Sequence, residues 1–420
     1  MRFQLKNFGV FREADLEIPG LTVIVGENGT GKSTLCKALF TTLDILGGKS
    51  GGATGTQREV VHKTAEDFYY KWQDVENQRY SDVQGLARRL ERAAFSGGRE
   101  AVFDEVYEWM DDCGMGYSKE ELAALVQYVT DVFLNSSVSP EAVKTALREE
   151  FGDWVPWKSA NFEPFDIQLT QGRQQTKIRY SLTDGIVLKN AHKREGQPLF
   201  LNAQLGTVLD VSLHFSTAVN YFPARIRRVI GKLQNPSDHF AGLSSEVREC
   251  SDAWQDFCGG ALVAYYQRLF FQPRSNEEEV SPSILPDGFK VPAILQALLS
   301  DGVVSEGGTL IWEEPESHLH PKQQVKLAEL IVRLQKALKL HVLLTTNSPY
   351  LVSALDVYSR KYDETDTNRW YVAERTEDGC VVRNVTGRRC EVYDSLTQPY
   401  QAIEDEAMQL ETGRNEPEVP

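Results

Sequence analysis

Residues 26–34, Gly-Glu-Asn-Gly-Thr-Gly-Lys-Ser-Thr, match the spacing G-x-x-x-x-G-K-[ST]. Glycines at 26, 29 and 31 let the backbone turn tightly. The N–H groups of the loop, those of Glu27, Asn28 and Thr30 included, can then point inward at phosphate oxygens. Lys32 would reach the β and γ oxygens, Ser33 would offer its hydroxyl to Mg²⁺, and Thr34 leads from the loop toward Leu35. Lys-Ser directly after the last glycine has no packing purpose, so the stretch implies a nucleoside-triphosphate site. A second group of reactive residues lies far along the chain. Thr309-Leu-Ile-Trp-Glu-Glu-Pro-Glu316 is an apolar run that ends in adjacent carboxylates. Glu313 would orient the metal shell, in part through the waters Mg²⁺ retains. Glu314 would polarise the attacking water as general base.

The flanking residues are those needed to hold such groups in place. Leu21-Thr-Val-Ile-Val25 is a short β-branched run and predicts a buried strand before the glycine loop. Leu35–Phe40 has helical spacing and predicts a helix after it, whose amino end adds partial positive charge. Residues 2–8 and 11–18 alternate apolar and polar and predict a hairpin. The run 47–55 is rich in Gly, Ser and Thr and reads as a linker, and 64–152 as short packed helices without a surviving heptad. Period-two alternation returns at 162–188, with a turn at Thr183-Asp-Gly185, and 217–223 reads as a core strand. A basic cluster comes next at Arg225, Arg227, Arg228 and Lys232; it fits a phosphate contact or a solvated helix face. Residues 244–271 read as helical, and Glu277-Glu-Glu279 as an acidic loop. Near the end, 370–373 and 380–383 flank Glu377-Asp-Gly379 as a closing hairpin, 399–411 reads as an acidic helix, and the last residues as disordered. His318 and His320 read as a cap for the helix at Pro321 rather than as metal ligands.

Composition narrows the function. With 420 residues, 41% hydrophobic and 25% charged, the chain has the balance of a soluble globular protein. It lacks the apolar run of about 20 residues that a transmembrane helix needs, so no membrane association is expected. The amino end has no signal-peptide core, and six cysteines without a C-x-x-C pair read as reduced thiols of a cytoplasmic protein. The net charge of −15, from 60 acidic and 45 basic residues, argues against broad DNA binding, so any DNA contact must be local.

Glu313-Glu-Pro-Glu-Ser-His-Leu-His-Pro321, the helix 322–338 and His341-Val-Leu-Leu-Thr-Thr-Asn-Ser-Pro-Tyr-Leu351 together resemble the ABC-type ATPases of the overcoming-lysogenisation-defect class. These are relatives of the structural-maintenance-of-chromosomes heads, and many serve bacterial anti-phage systems such as Septu and PARIS. Tyr221-Phe-Pro-Ala-Arg225 is similar to their Q-loop strand, and the resemblance covers residues 1–45 and 215–360. It implies an α/β fold, an ABC-type ATPase head with a mixed sheet and an antiparallel subdomain, carrying an inserted helical subdomain. The corresponding division is 1–50 and 158–420 for the head and 51–157 for the insert. It also implies ATP and Mg²⁺, and a head-to-tail homodimer around two ATPs, with higher oligomers left open. Leu285-Pro-Asp-Gly-Phe289 stands where the family has its signature loop, so Asp287 and Gly288 would face the γ-phosphate of a second protomer. Pro286 departs from the family pattern, which has a serine there. Asn347 stands where the family usually has a histidine against the γ-phosphate. Its amide can hydrogen-bond but cannot become a cation, which implies slow hydrolysis.

Two functional expectations result. The leading one is an ATPase that dimerises on ATP and controls a separate effector, a nuclease, in anti-phage defence. The alternative is a DNA-repair or DNA-end ATPase that clamps duplex directly. A GTPase is disfavoured because no Asn-Lys-x-Asp motif is present, and a transporter subunit fits the helical insert poorly.

Overall fold

The computed structural model describes residues 1–47, 140–152, 164–181, 183–191, 198–209, 244–265, 268–275 and 278–413, with 89, 90, 93, 100–108, 123, 126 and 127. The linker expected at 48–55, most of the helical stretch 64–139, the strand and basic cluster at 217–232 and the tail 414–420 lie outside the described residues. In chain order the elements begin with β1 (Arg2–Phe8), β2 (Phe11–Glu17), β3 (Leu21–Val25) and α1 (Lys32–Gly47). Next come α2 (Pro140–Phe151), β4 (Phe165–Gln171), β5 (Gln174–Ser181), β6 (Gly185–Lys189), β7 (Pro198–Leu201) and the short α3 (Ala203–Gly206). After these come α4 (Ser245–Cys258), β8 (Gly260–Tyr265), β9 (Arg268–Pro273), α5 (Asp287–Ser300), β10 (Thr309–Glu313), α6 (Pro321–Leu338) and β11 (His341–Thr346). The chain closes with α7 (Pro349–Lys361), β12 (Arg369–Thr376), β13 (Gly379–Asn384) and α8 (Arg389–Gly413).

Two compact units are present. One comprises Met1–Phe40, Pro156–Gln174 and Pro198–Pro420, the other Thr41–Val155 and Gln175–Gln197. In the second, β5 and β6 form an antiparallel hairpin around the turn before Gly185, and α2 packs on β6.

The described strands of the first unit run in the order β4-β1-β2-β13-β12-β3-β11-β10-β7. The sheet is mixed: β1 pairs antiparallel with β2 and β4, whereas β12, β3, β11, β10 and β7 are parallel neighbours. Parallel strands buried on both faces read as unbroken apolar runs, and β3 and β10 are buried at every position. Helices cover this part of the sheet. Trp254 of α4 stacks, tilted, on Trp312 of β10 with ring centroids 6.1 Å apart, and both side chains are buried. An aromatic pair of this kind fixes helix against strand through contact geometry as well as area.

The fold is the mixed α/β architecture expected, with three local differences. The helix read over 244–271 stops at Cys258, where Gly259 adopts φ 74° as a left-handed cap. Beyond it, 260–273 forms the β8–β9 hairpin; its short apolar runs do not discriminate strand from helix by period alone. The C-terminal hairpin β12–β13 does not close an edge. β12 pairs in parallel with β3 and β13 in parallel with β2, so the hairpin is inserted between the glycine-loop strand and the N-terminal hairpin. The last helix begins at Arg389, ten residues before Pro399, because Val392, Tyr393 and Leu396 pack on the core and hold its first turns.

Candidate nucleotide site

The glycine loop leaves the carboxyl end of β3 and enters α1 at Lys32, at the ends of parallel strands where open α/β sheets bind ligands. Gly26 has φ 149° and Gly31 φ 86°, conformations that side chains rarely adopt. A Cβ at Gly26 would lie 2.2 Å from the Ala373 carbonyl oxygen, and one at Gly31 2.6 Å from both Phe11 and Val10. Gly29, with φ 82°, faces open space. The inserted hairpin and the β1–β2 turn therefore wrap the loop closely, and only glycine fits at the two contact points. Within the loop, Thr30 Oγ1 donates to the Glu27 carbonyl at 2.8 Å, and Leu35 N donates to the Gly31 carbonyl at 3.0 Å to start the helix.

Lys32 is only 7% exposed. Its Nζ donates to the carbonyl of Gly26 and, at 2.9 Å, to that of Glu27. Burial pushes its ammonium below the usual lysine range, and the carboxylates of Glu314 and Glu316 oppose that shift. That opposition places the lysine of the glycine loop in the field of the distant acidic run. Ser33 and Thr34 lie in the first turn of α1, with Ser33 exposed and Thr34 half-buried.

The acidic run is brought to the lysine by strand order. β11 lies between β3 and β10; Val25 is level with Thr346, and Glu313 with Thr345. The two adjacent carboxylates diverge. Glu313 is 8% exposed, whereas Glu314 is exposed. The turn is made at Glu314, whose φ of 46° takes the chain out of the strand while its N–H still donates to the Thr345 carbonyl at 2.9 Å. Glu313 also acts on the thiol of Cys36 in α1, which burial pushes far up and Glu313 pushes further.

Asn347 is positioned by the residues after it. Ser348 caps α7 by accepting from Leu351 N at 3.2 Å, and Pro349 takes the first helical position. Asn347 is thereby left outside the helix, exposed, and its Nδ2 donates to Asn28 Oδ1 of the glycine loop at 3.1 Å. The structure thus joins residues 319 positions apart in sequence. Glu316, which the sequence marks only as a neighbour of the histidines, accepts from Thr346 Oγ1 at 2.6 Å and from Asn347 N at 3.0 Å. The signal that could have found it is a third acidic residue just after Pro315, two residues beyond the end of β10.

Asp287 and Gly288 do not join this cluster directly. They open α5 beside a pocket of about 150 Å³ that is also lined by Glu314, Ser317 and His318, and by no residue of 26–34. Asp287 Oδ1 accepts from the buried Lys290 at 2.7 Å, and Pro286, the residue before the helix, makes no side-chain cap bond. A Cβ at Gly288 would lie 2.7 Å from the His318 carbonyl oxygen, so the helix start rests against the loop after β10. Gly288→Ala is expected to destabilise the fold by about 1–3 kcal/mol through overpacking against backbone. A denaturant-unfolding midpoint checks this. His320 caps α6, its Nδ1 accepting from Lys322 N at 3.2 Å, and His318 is exposed with φ 62°.

A family model described as "AAA domain, putative AbiEii toxin, Type IV TA system" matches residues 164–353, and a second, "AAA domain", matches residues 2–87. The two matches place AAA-type ATPase sequence in two separate stretches of the chain. The split agrees with the geometry, since the glycine loop comes from the residues of one match and the carboxylates and Asn347 from those of the other. The chain is similar to the SMC head domain from Thermotoga maritima, with 11% identity over 91% of this chain and 98% of that one and a TM-score of 0.39. It is also similar to an SMC head bound to the C-winged helix domain of ScpA, with 12% identity, 93% and 98% coverage and a TM-score of 0.46. A third similar structure is an SMC head with an extended coiled coil bound to the C-terminal domain of ScpA from Pyrococcus furiosus. There the identity is 11%, the coverage 97% and 98%, and the TM-score 0.44. No curated protein matches the chain. The two AAA-domain matches imply ATP binding, and no described helix is long and apolar enough to cross a membrane.

Proposed function

We propose that this ATPase hydrolyses ATP slowly with Mg²⁺, dimerises head to tail on ATP, and in that state controls a separate effector, a nuclease, in anti-phage defence. The observation that carries the reading is the convergence of Lys32, Glu314, Glu316 and Asn347 from opposite ends of the chain. Support for the defence role is coarser and comes from the family description, which names a putative toxin of a toxin–antitoxin system.

In this reading the backbone amides of 26–31 hold the phosphates and buried Lys32 neutralises their charge. The donor set fits Mg²⁺, since Ser33 at the first turn of α1 and Glu313 at the end of β10 both offer hard oxygens. When bound there, Mg²⁺ supplies Lewis-acid stabilisation of phosphate charge. Glu314, exposed beyond the strand end, takes the proton of the attacking water. Asn347 donates to the γ-phosphate as a neutral amide. Without a cation at that position the transition-state charge is less well balanced, and the expected turnover lies well below about 10 s⁻¹, the median for enzymes. Asp287 and Gly288 at the start of α5 are the residues offered to the ATP of the second protomer.

The test is the mass of the Glu314→Gln variant in solution with and without MgATP. The expected result is a dimer with MgATP that reverts to monomer with ADP. A monomer in every nucleotide state would overturn the dimerisation step. Fast turnover by the wild type would overturn the assignment as a switch. Failure to co-purify with the product of the neighbouring reading frame in any nucleotide state would remove the effector. ATP-strengthened, salt-dependent binding of duplex by the chain alone would favour the DNA-clamping alternative instead.

A further inference from the structure

Glu316 sits at the centre of a hydrogen-bond circuit that ties the loop after β10 to the loop after β11. Its Oε1 accepts from the Thr346 hydroxyl at 2.6 Å and from the Asn347 main-chain N–H at 3.0 Å. The Thr346 hydroxyl in turn accepts from Ser348 N at 3.0 Å. Ser348 Oγ donates to Gln324 Oε1, and Gln324 Nε2 donates to the Leu319 carbonyl at 2.9 Å, which returns the circuit to the loop that carries Glu316. Each residue on either side of Asn347 is held in place. Asn347 itself is exposed and reaches the glycine loop through the 3.1 Å bond of its amide to Asn28. The orientation of that amide is therefore set by the main chain beneath it, whose N–H at Asn347 donates to one Glu316 carboxylate oxygen.

We propose that Glu316 is a positioning residue that locks Asn347 over the glycine loop, and that through Asn347 the site distinguishes a nucleoside triphosphate from a diphosphate. This rests on the reading of Asn347 as a γ-phosphate contact. A carboxylate accepting two donors is a strong anchor, because its bonds are charge-assisted. Its hydrogen bonds act on the γ-phosphate contact, while its charge also reaches Lys32. The β-phosphate is held by the loop amides and Lys32, whose ammonium donates to the Gly26 and Glu27 carbonyls, whereas Glu316 bonds to Thr346 and Asn347. Burial lifts the Glu316 carboxyl above its ordinary range; the Thr346 hydroxyl, its own main-chain N–H and that of Asn347 oppose the shift, and the neighbouring Glu314 adds to it.

The test is the ratio of affinities for a non-hydrolysable ATP analogue and for ADP, measured by calorimetry on the full chain. The variants are Glu316→Ala, Glu316→Gln, Asn347→Ala and the double Glu316→Ala/Asn347→Ala. Glu316→Ala is expected to weaken the analogue about tenfold, or about 1.4 kcal/mol, while ADP stays within about twofold. Glu316→Gln keeps an oxygen acceptor in the same place and should retain most of the ratio, which guards against a folding defect in the alanine variant. The double variant should lose no more than Asn347→Ala alone. Equal losses for analogue and ADP, a glutamine variant as weak as the alanine one, or additive losses in the double variant would overturn the proposal. A ratio sensitive to Asn347→Ala but not to Glu316→Ala would sink this inference alone. A ratio insensitive to Asn347→Ala would sink the γ-phosphate reading and the inference together.

Discussion

Glu314→Gln is expected to lower ATP turnover by about 10²-fold or more while leaving ATP binding intact. The amide keeps the shape of the carboxyl but cannot accept a proton, so only the general-base contribution is lost. The local structure should survive the change. Glu314 is exposed, and the chain turn at its φ of 46° is secured by main-chain bonds, Glu314 N to the Thr345 carbonyl and Ser317 N to the Glu314 carbonyl, each 2.9 Å. Phosphate release measured beside nucleotide affinity separates the two effects. Turnover equal to that of the wild type would remove Glu314 from the chemistry, and a parallel loss of affinity would place it in binding. The same substitution made at Glu313 should behave differently, because that side chain is buried at the end of β10 and acts on Cys36 within the core.

Gly26→Ala is expected to cost about 3 kcal/mol or more of stability, and with it most of the ATP affinity, since overpacking alone costs about 1–3 kcal/mol when side chains can yield. Two penalties add here, and the obstacle is backbone. The conformation at φ 149° disfavours any Cβ, and the Cβ itself would stand 2.2 Å from the Ala373 carbonyl oxygen. Relief would require β12 to move away from β3, where Ile24 is level with Tyr371 and Val25 with Val372. The Gly26 carbonyl is also an acceptor for Lys32 Nζ, so displacement of the loop disturbs the lysine directly. A urea-unfolding midpoint and an ATP titration on the same preparation check both halves. A variant with unchanged midpoint and affinity would mean that β12 does not lie where the structure puts it.

Much of this site is legible without any fold, because it is made of local chemistry. A β-branched run, a glycine loop and Lys-Ser at a helix start each act within a few residues of one another, and so do an apolar run ending in two glutamates and an Asn-Ser-Pro cap. Harder to read are elements whose identity depends on neighbours. Pro198–Leu201 is a four-residue run, too short to show a period, yet it lies beside β10 as the neighbouring parallel strand. Residues 260–265 read as helix because apolar residues continue past Cys258. Only the close approach of Gly260 to β9, where a Cβ would lie 2.3 Å from the Gln272 carbonyl, makes the hairpin evident.

A phosphate cradle and a carboxylate pair are written into the order of residues, since each is a matter of residue type at fixed spacing, and the family resemblance adds Asn347 to them. Which of these meet is a property of the folded chain. Strand order places β11 between the cradle and the carboxylates and inserts the C-terminal hairpin beside the cradle, and no spacing along the chain encodes pairing between strands hundreds of residues apart. Folding alone also makes Glu316 the holder of Asn347, a bond that exists only because the ends of two neighbouring strands turn toward each other.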